Sequence, residues 1–275
     1  MKQYIQLPLL IIIIFTLLNP YQIIHTETLA ESNKIFFQNI HLEIIEDRFF
    51  LWVKPQQEPT NEGYPMLFLF HGASQHAFSW ILPINKWNKY QMSFTADALD
   101  QGFFLILLES NRPIRPGPRA WDVFTANNSE NNDISYVQAI LSWLNNSQLP
   151  VNMNSVFCAG FSSGAFMCSR LALNKEHLFN AIALNSGCNA DSITLTNRGP
   201  QFDLYSSYNL SVNHPPTLLL HGQKDQLVPV QSAINYYQDL TNASVETQLW
   251  IASSQGHIWL SIYNTEILNW FNQHA

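Results

Sequence analysis

The residues Gly160-Phe161-Ser162-Ser163-Gly164 place a serine between two glycines. They follow a short apolar run, Val156–Gly160, and precede a stretch with helical character, Gly164–Leu173. A serine on a tight strand-to-helix turn takes a strained backbone conformation that lifts its hydroxyl off the sheet edge. Side chains two residues before and after it would collide where strand and helix converge, so glycine is needed at both places. Ser163 is the rival serine, but it breaks the glycine frame. A serine hydroxyl becomes a nucleophile only beside a base that is itself oriented by a third group. On such turns the chain order is nucleophile, acid, histidine. Asp225 follows the run Thr217–Leu220 in GQKDQLVP, and His257 follows Gly256 after the last strand-like segment. Asp203, Asp191 and Asp239 compete for the acid. The first two precede the penultimate strand, and the third falls within a helical stretch. His274, the other histidine after Asp225, lies at the chain's tail. The chemistry indicated is acyl transfer through Ser162, His257 and Asp225. Donors for the oxyanion of such a reaction are expected at the backbone N–H of Ser163 and of Ala73, the latter just after His71-Gly72. Trp121 and His71 are the candidates for substrate contact; His71 and His221 also fit a role as hydrogen-bonded supports.

These residues need a scaffold that gathers three distant loops. Met66–Phe70, Phe103–Leu108, Val156–Gly160, Ala181–Leu184 and Thr217–Leu220 are short continuous apolar runs, as expected of strands buried on both faces. A further strand is expected over Val245–Ile251, and a hairpin over Ile35–Val53 around Glu46-Asp47-Arg48. Helical patterns lie between them at Ile134–Leu144, Gly164–Leu173, Val230–Leu240 and Ile258–Phe271. Alternation of this kind predicts an α/β domain with a mostly parallel central sheet and helices on both faces. In a parallel sheet the carboxyl ends of the strands share one edge, which is where Ser162, Asp225 and His257 would meet. Three long stretches, Ala73–Ala96, Ser110–Asn132 and Gly187–Pro216, read as irregular and lid-like.

With those motifs in order, the chain resembles the α/β-hydrolase fold. Within that fold it is similar to the esterases related to polyhydroxybutyrate depolymerases and to feruloyl and acetylxylan esterases. The matching elements are Phe70-His71-Gly72, Ala96-Asp97, Gly102-Phe103, Trp121, Asn132-Asp133-Ile134, the block Gly160–Leu173 and the Asp225 and His257 loops. Ser163 stands where these enzymes often have Asn, and Ala73-Ser74 replaces a glycine-richer loop. The resemblance implies ester hydrolysis through an acyl-enzyme, with no metal and no cofactor, on a small-molecule or polymeric ester. The alternatives are a peptidase of the prolyl-oligopeptidase type and a non-catalytic binding member of the fold.

Composition narrows the partners. Charged residues make up 12% of 275 and hydrophobic ones 47%, with a net charge of −7. Roughly one residue in six is Asn or Gln. No Lys/Arg run is available to neutralise phosphates, which excludes nucleic acid as an expected partner. No His, Cys and carboxylate cluster has metal-ligand spacing. Residues 1–30 read as a signal peptide, with Lys2, the apolar run Leu9–Leu18, and small side chains at Thr28 and Ala30. The run suits the apolar core of an export signal and is short of the ~20 residues of a membrane span. The mature domain is then 31–275, secreted or periplasmic, with no stable membrane span after cleavage. Three cysteines allow one disulfide in an oxidising compartment. The candidate is Cys168 with Cys188, leaving Cys158 buried and inert, against three buried thiols.

Overall fold

The structure is a computed structural model that describes residues 40–111, 119–126, 130–173, 178–197, 199–208, 210 and 213–275. The expected signal segment, residues 1–30, lies outside the described residues. Among the described residues no helix is long and apolar enough to cross a membrane.

The hairpin forms as β1 (Ile40–Ile45) and β2 (Arg48–Val53). Glu46 and Asp47 both take positive φ, 51° and 61°, the left-handed pair that matches the twist of a two-residue hairpin loop. The apolar runs become β3 (Tyr64–Phe70), β4 (Phe104–Leu108), β5 (Val151–Phe161), β6 (Ala181–Asn185), β9 (Thr217–Gly222) and β10 (Thr247–Ala252). They assemble in the order β1-β2-β4-β3-β5-β6-β9-β10. β1–β2 and β2–β4 pair antiparallel, and every pair from β4 through β10 is parallel. The remaining two strands, β7 (Ile193–Thr196) and β8 (Gly199–Phe202), form a separate hairpin.

Period-two alternation divides each central strand between two cores. Met66, Phe68 and Phe70 of β3 and Phe104, Ile106 and Leu108 of β4 face one side. There they meet α2 (Asn132–Asn145), α3 (Ser163–Ala172) and α4 (Val230–Asn242). Leu67, Leu69, Leu105 and Leu107 face the other side, against α1 (Asn88–Asp100) and α5 (Asn264–Gln273). With both faces covered, a strand must be apolar at every position, which is why these runs do not alternate in sequence.

Two stretches read as irregular hold regular structure. Ala73–Ala96 contains a 3-10 turn, Ala77–Trp80, and most of α1. The buried face of α1 carries Asn88, Gln91 and Thr95 beside Phe94 and Ala98, so the apolar periodicity that marks a helix is weak. Its amides are satisfied internally: Asn88 donates to Gln91 at 2.9 Å, and Gln91 pairs with Gln75 at 3.1 Å. Gly187–Pro216 contains the β7–β8 hairpin. The last helix begins at Asn264 rather than Ile258, because residues 258–260 are held in an extended turn by side chains described below.

The cysteine pairing differs from expectation. Cys158 bonds to Cys168, with Cα atoms 6.2 Å apart, and Cys188 is the free, buried thiol. Parity explains the choice. Cys158 lies on the α3 face of β5 with Val156, and α3 doubles back over its own strand after the turn at Ser162. Cys188 instead approaches Ser192, Sγ to Oγ 3.3 Å, and burial pushes its thiol up to about 11. Closing a loop of 10 residues is worth about 3 kcal/mol by chain entropy. Non-reducing digestion is therefore expected to yield a Cys158–Cys168 peptide. One thiol should react after denaturation and none in the native protein; a native thiol reacting at neutral pH would contradict a buried Cys188.

Candidate active site

The turn between β5 and α3 puts Ser162 at φ 53°, ψ −119°, a region that L-residues rarely adopt. The glycine frame has a steric cause. A Cβ on Gly160 would lie 2.3 Å from Gly164 O, and one on Gly164 would lie 2.1 Å from Phe70 O. The second contact also seats the start of α3 on the end of β3, so the loop carrying Ala73 adjoins the serine turn. Ser162 donates its backbone N–H to Asn185 O at the end of β6, 2.9 Å away.

His257 reaches this serine from the loop after β10, with Nε2 2.9 Å from Ser162 Oγ. Its Nδ1 is 2.7 Å from Asp225 Oδ2. The Asp225 side chain has no solvent exposure, while that of His257 is 15% exposed. Burial raises the Asp225 carboxyl, but hydrogen bonds from His221, His257 and the Val228 amide outweigh it and hold the group well below the usual carboxylate range. Oδ1 accepts from the amides of Leu227 and Val228, both at 2.9 Å. Oδ2 has a second neighbour, His221 Nε2, at 3.4 Å. That nitrogen also faces Val228 O at 3.0 Å. Both neighbours are acceptors, so the His221 proton resides on Nε2, and its buried Nδ1 has no partner among the described residues. His221 and His257 thus share Oδ2 of the carboxylate. The histidine loop packs directly on the acid loop because position 222 is glycine: a Cβ there would lie 2.4 Å from Gly256 O.

The competing carboxylates are spent elsewhere. Asp203 accepts from the amides of Tyr205 and Ser206 in its own turn. Asp191 pairs with Arg170, and Asp239 accepts from the Tyr208 amide.

Around Ala73, His71 is fully buried and pushed down to about 4 by that burial. Its Nε2 accepts from the Ser110 amide at 3.1 Å, so Nδ1 carries the proton and donates to Gly72 O at 2.8 Å. Gly72 O also accepts from the Gln75 amide, 3.1 Å. In a trans peptide the C=O and N–H point opposite ways, so these donors turn the Ala73 N–H outward, where no protein acceptor takes it among the described residues. Trp121 is buried too. Its indole donates to His71 O at 2.8 Å and its amide donates to Ser163 Oγ at 3.1 Å. Trp121 and His71, the candidates for substrate contact, are both buried here, and their polar atoms are taken up by Gly72 O, the Ser110 amide, His71 O and Ser163 Oγ.

Sequence reasoning missed two supports. Glu109, buried directly after β4, takes the Ala77 amide at 2.8 Å and ion-pairs with Arg119, tying the loops after β3 and β4 together. Arg119 O in turn accepts from the Ser74 amide, 2.8 Å. A charged residue ending the FFLILL run was the available signal. The other support is Asn185.

Comparison with known proteins agrees with this architecture. The prolyl oligopeptidase family model matches residues 118–275, which span the serine turn, the acid loop and the histidine loop. The chain belongs to the prolyl oligopeptidase family. This family member is 26% identical over 238 residues to a poly(3-hydroxyoctanoate) depolymerase from Pseudomonas fluorescens, covering 84% of this chain and 81% of that one. In fold it is similar to a sugar hydrolase from Lactococcus lactis, with 16% identity, TM-score 0.63, and coverage of 86% of this chain and 98% of that one. It is also similar to a fluorophosphonate-binding serine hydrolase from Staphylococcus aureus, at 14% identity and TM-score 0.58, covering 82% and 92%. The prolyl oligopeptidase family member is therefore a hydrolase with the α/β-hydrolase fold.

Proposed function

We propose that the protein is an exported carboxylic ester hydrolase whose nucleophile is Ser162, with His257 as base and Asp225 as its orienting acid. The observation that carries this reading is the continuous relay Ser162 Oγ–His257 Nε2 and His257 Nδ1–Asp225 Oδ2, at 2.9 and 2.7 Å. Ser162 Oγ attacks the ester carbonyl carbon while its proton passes to His257 Nε2. The N–H groups of Ala73 and Ser163 receive the developing oxyanion at the N-terminus of α3. The bond to the alcohol oxygen then breaks, His257 returns the proton to the leaving alkoxide, and an acyl-serine remains. Water repeats the sequence: it loses a proton to His257, attacks the acyl carbon, and Ser162 leaves with that proton.

The depolymerase relative supports hydroxyalkanoate esters as the substrate class. Export is supported by Lys2 and the apolar run Leu9–Leu18, and by a disulfide that forms readily only in an oxidising compartment. A second reading, peptide hydrolysis, is favoured by the family description. Matched p-nitrophenyl ester and p-nitroanilide substrates separate the two. The esterase reading expects at least a hundredfold preference, on the order of 3 kcal/mol, in kcat/KM for the ester. Preference for the anilide would reverse the assignment, and a panel of hydroxyalkanoate oligomers against feruloyl esters resolves the acyl group.

A further inference from the structure

Asn185 ends β6, between β5 and β9, and the next residue, Ser186, takes a left-handed turn at φ 56°. It is fully buried. An amide buried in a strand end costs free energy unless each of its polar atoms finds a partner, and here they do. Oδ1 accepts from the Leu260 amide at 2.8 Å. Nδ2 donates to Ile258 O at 2.9 Å and to Ser186 Oγ at 3.1 Å. The main chain of the same residue accepts the Ser162 N–H. One residue therefore holds the nucleophile turn by its backbone and the segment directly after His257 by its side chain. Ile258 O and Leu260 N–H have no other hydrogen-bond partner among the described residues. Residues 257–260 stay out of the helix that their sequence favours because this side chain captures them.

We infer that Asn185 is a positioning residue: its carboxamide sets the distance between His257 Nε2 and Ser162 Oγ by tying the segment after His257 to the strand end whose main chain holds the Ser162 turn. The inference rests on the proposed roles of Ser162 and His257. Loss of the carboxamide frees the histidine loop, and misplacement of a base by about 1 Å costs on the order of a hundredfold in rate.

The test compares wild type, Asn185→Asp and Asn185→Ala with p-nitrophenyl butyrate, each normalised by titration with a fluorophosphonate so that only competent sites are counted. Asn185→Asp keeps the size and the acceptor for Leu260 but sets a carboxylate oxygen against Ile258 O. Both variants are expected to lose about a hundredfold in kcat per titrated site, with KM within about threefold and phosphonylation slowed in parallel. Should Asn185→Ala not fold, Asn185→Ser carries the same comparison. A merely structural role predicts a lower Tm with kcat per site unchanged, and that result overturns the inference, as does a rise in KM alone. Wild-type protein that neither cleaves the ester nor reacts with the phosphonate would sink the esterase reading itself, an outcome distinct from active variants at Asn185.

Discussion

Replacing Ser162 by alanine is expected to lower kcat for ester hydrolysis by about a millionfold, about 8 kcal/mol of transition-state stabilisation. The fold should survive it. The cost of a left-handed backbone at position 162, φ 53°, is set by the Cβ that serine already carries, and alanine adds no atom. The lost Oγ had one partner, His257 Nε2 at 2.9 Å, and the imidazole edge is in reach of solvent, so no buried group is orphaned. Circular dichroism and Tm close to wild type, together with loss of phosphonate labelling, complete the expected picture. Activity within tenfold of wild type would mean that another group attacks the ester. Ser163 is the nearest alternative, but its Oγ already takes the Trp121 amide.

Asp225→Asn is expected to cost roughly ten-thousandfold in kcat, and the local hydrogen bonds give the reason. One oxygen of Asp225 accepts from two backbone amides, and the other faces His257 and His221. An asparagine must place its carbonyl oxygen toward the two amides, since its NH2 would oppose two donors there. The NH2 then points at His257 Nδ1 and donates to it, which forces the imidazole proton onto Nε2. A protonated Nε2 facing Ser162 Oγ is the wrong tautomer for a base. The same substitution removes the charge that stabilises the imidazolium formed as Ser162 attacks. His221 Nε2–H, left without a carboxylate, keeps Val228 O, so stability should fall little. A loss under tenfold, or a larger loss from Asp203→Asn, would remove Asp225 from its assigned role. The Asp203 carboxylate makes its hydrogen bonds within residues 203–208, which is why no such effect is expected of it.

The sequence alone determined the strand order of events along the chain and the local geometry at Ser162. Apolar runs such as MLFLF and FFLILL, bounded by turn residues, read as strands covered on both faces, and two glycines around a serine between a strand and a helix read as a turn too tight for side chains. Those are short-range statements, and the structure carries them. Partnerships between distant residues were fixed by tertiary structure. Cys158 rather than Cys188 meets Cys168 because strand parity turns it toward the helix that doubles back over its own strand. Trp121 and His71 find their hydrogen-bond partners in Ser163, Ser110 and each other only once the start of α3 seats on the end of β3. The helix α1 hides in sequence because its buried face is made of amides whose partners, Gln75 among them, lie elsewhere in the chain. Asn185, directly after a run that reads as ordinary strand, acquires its role only when β6 packs beside β5 and the histidine loop folds across its end. Periodicity records which face of an element is buried; it does not record which polar group waits on the other side, because that depends on where the folded chain brings a distant donor or acceptor.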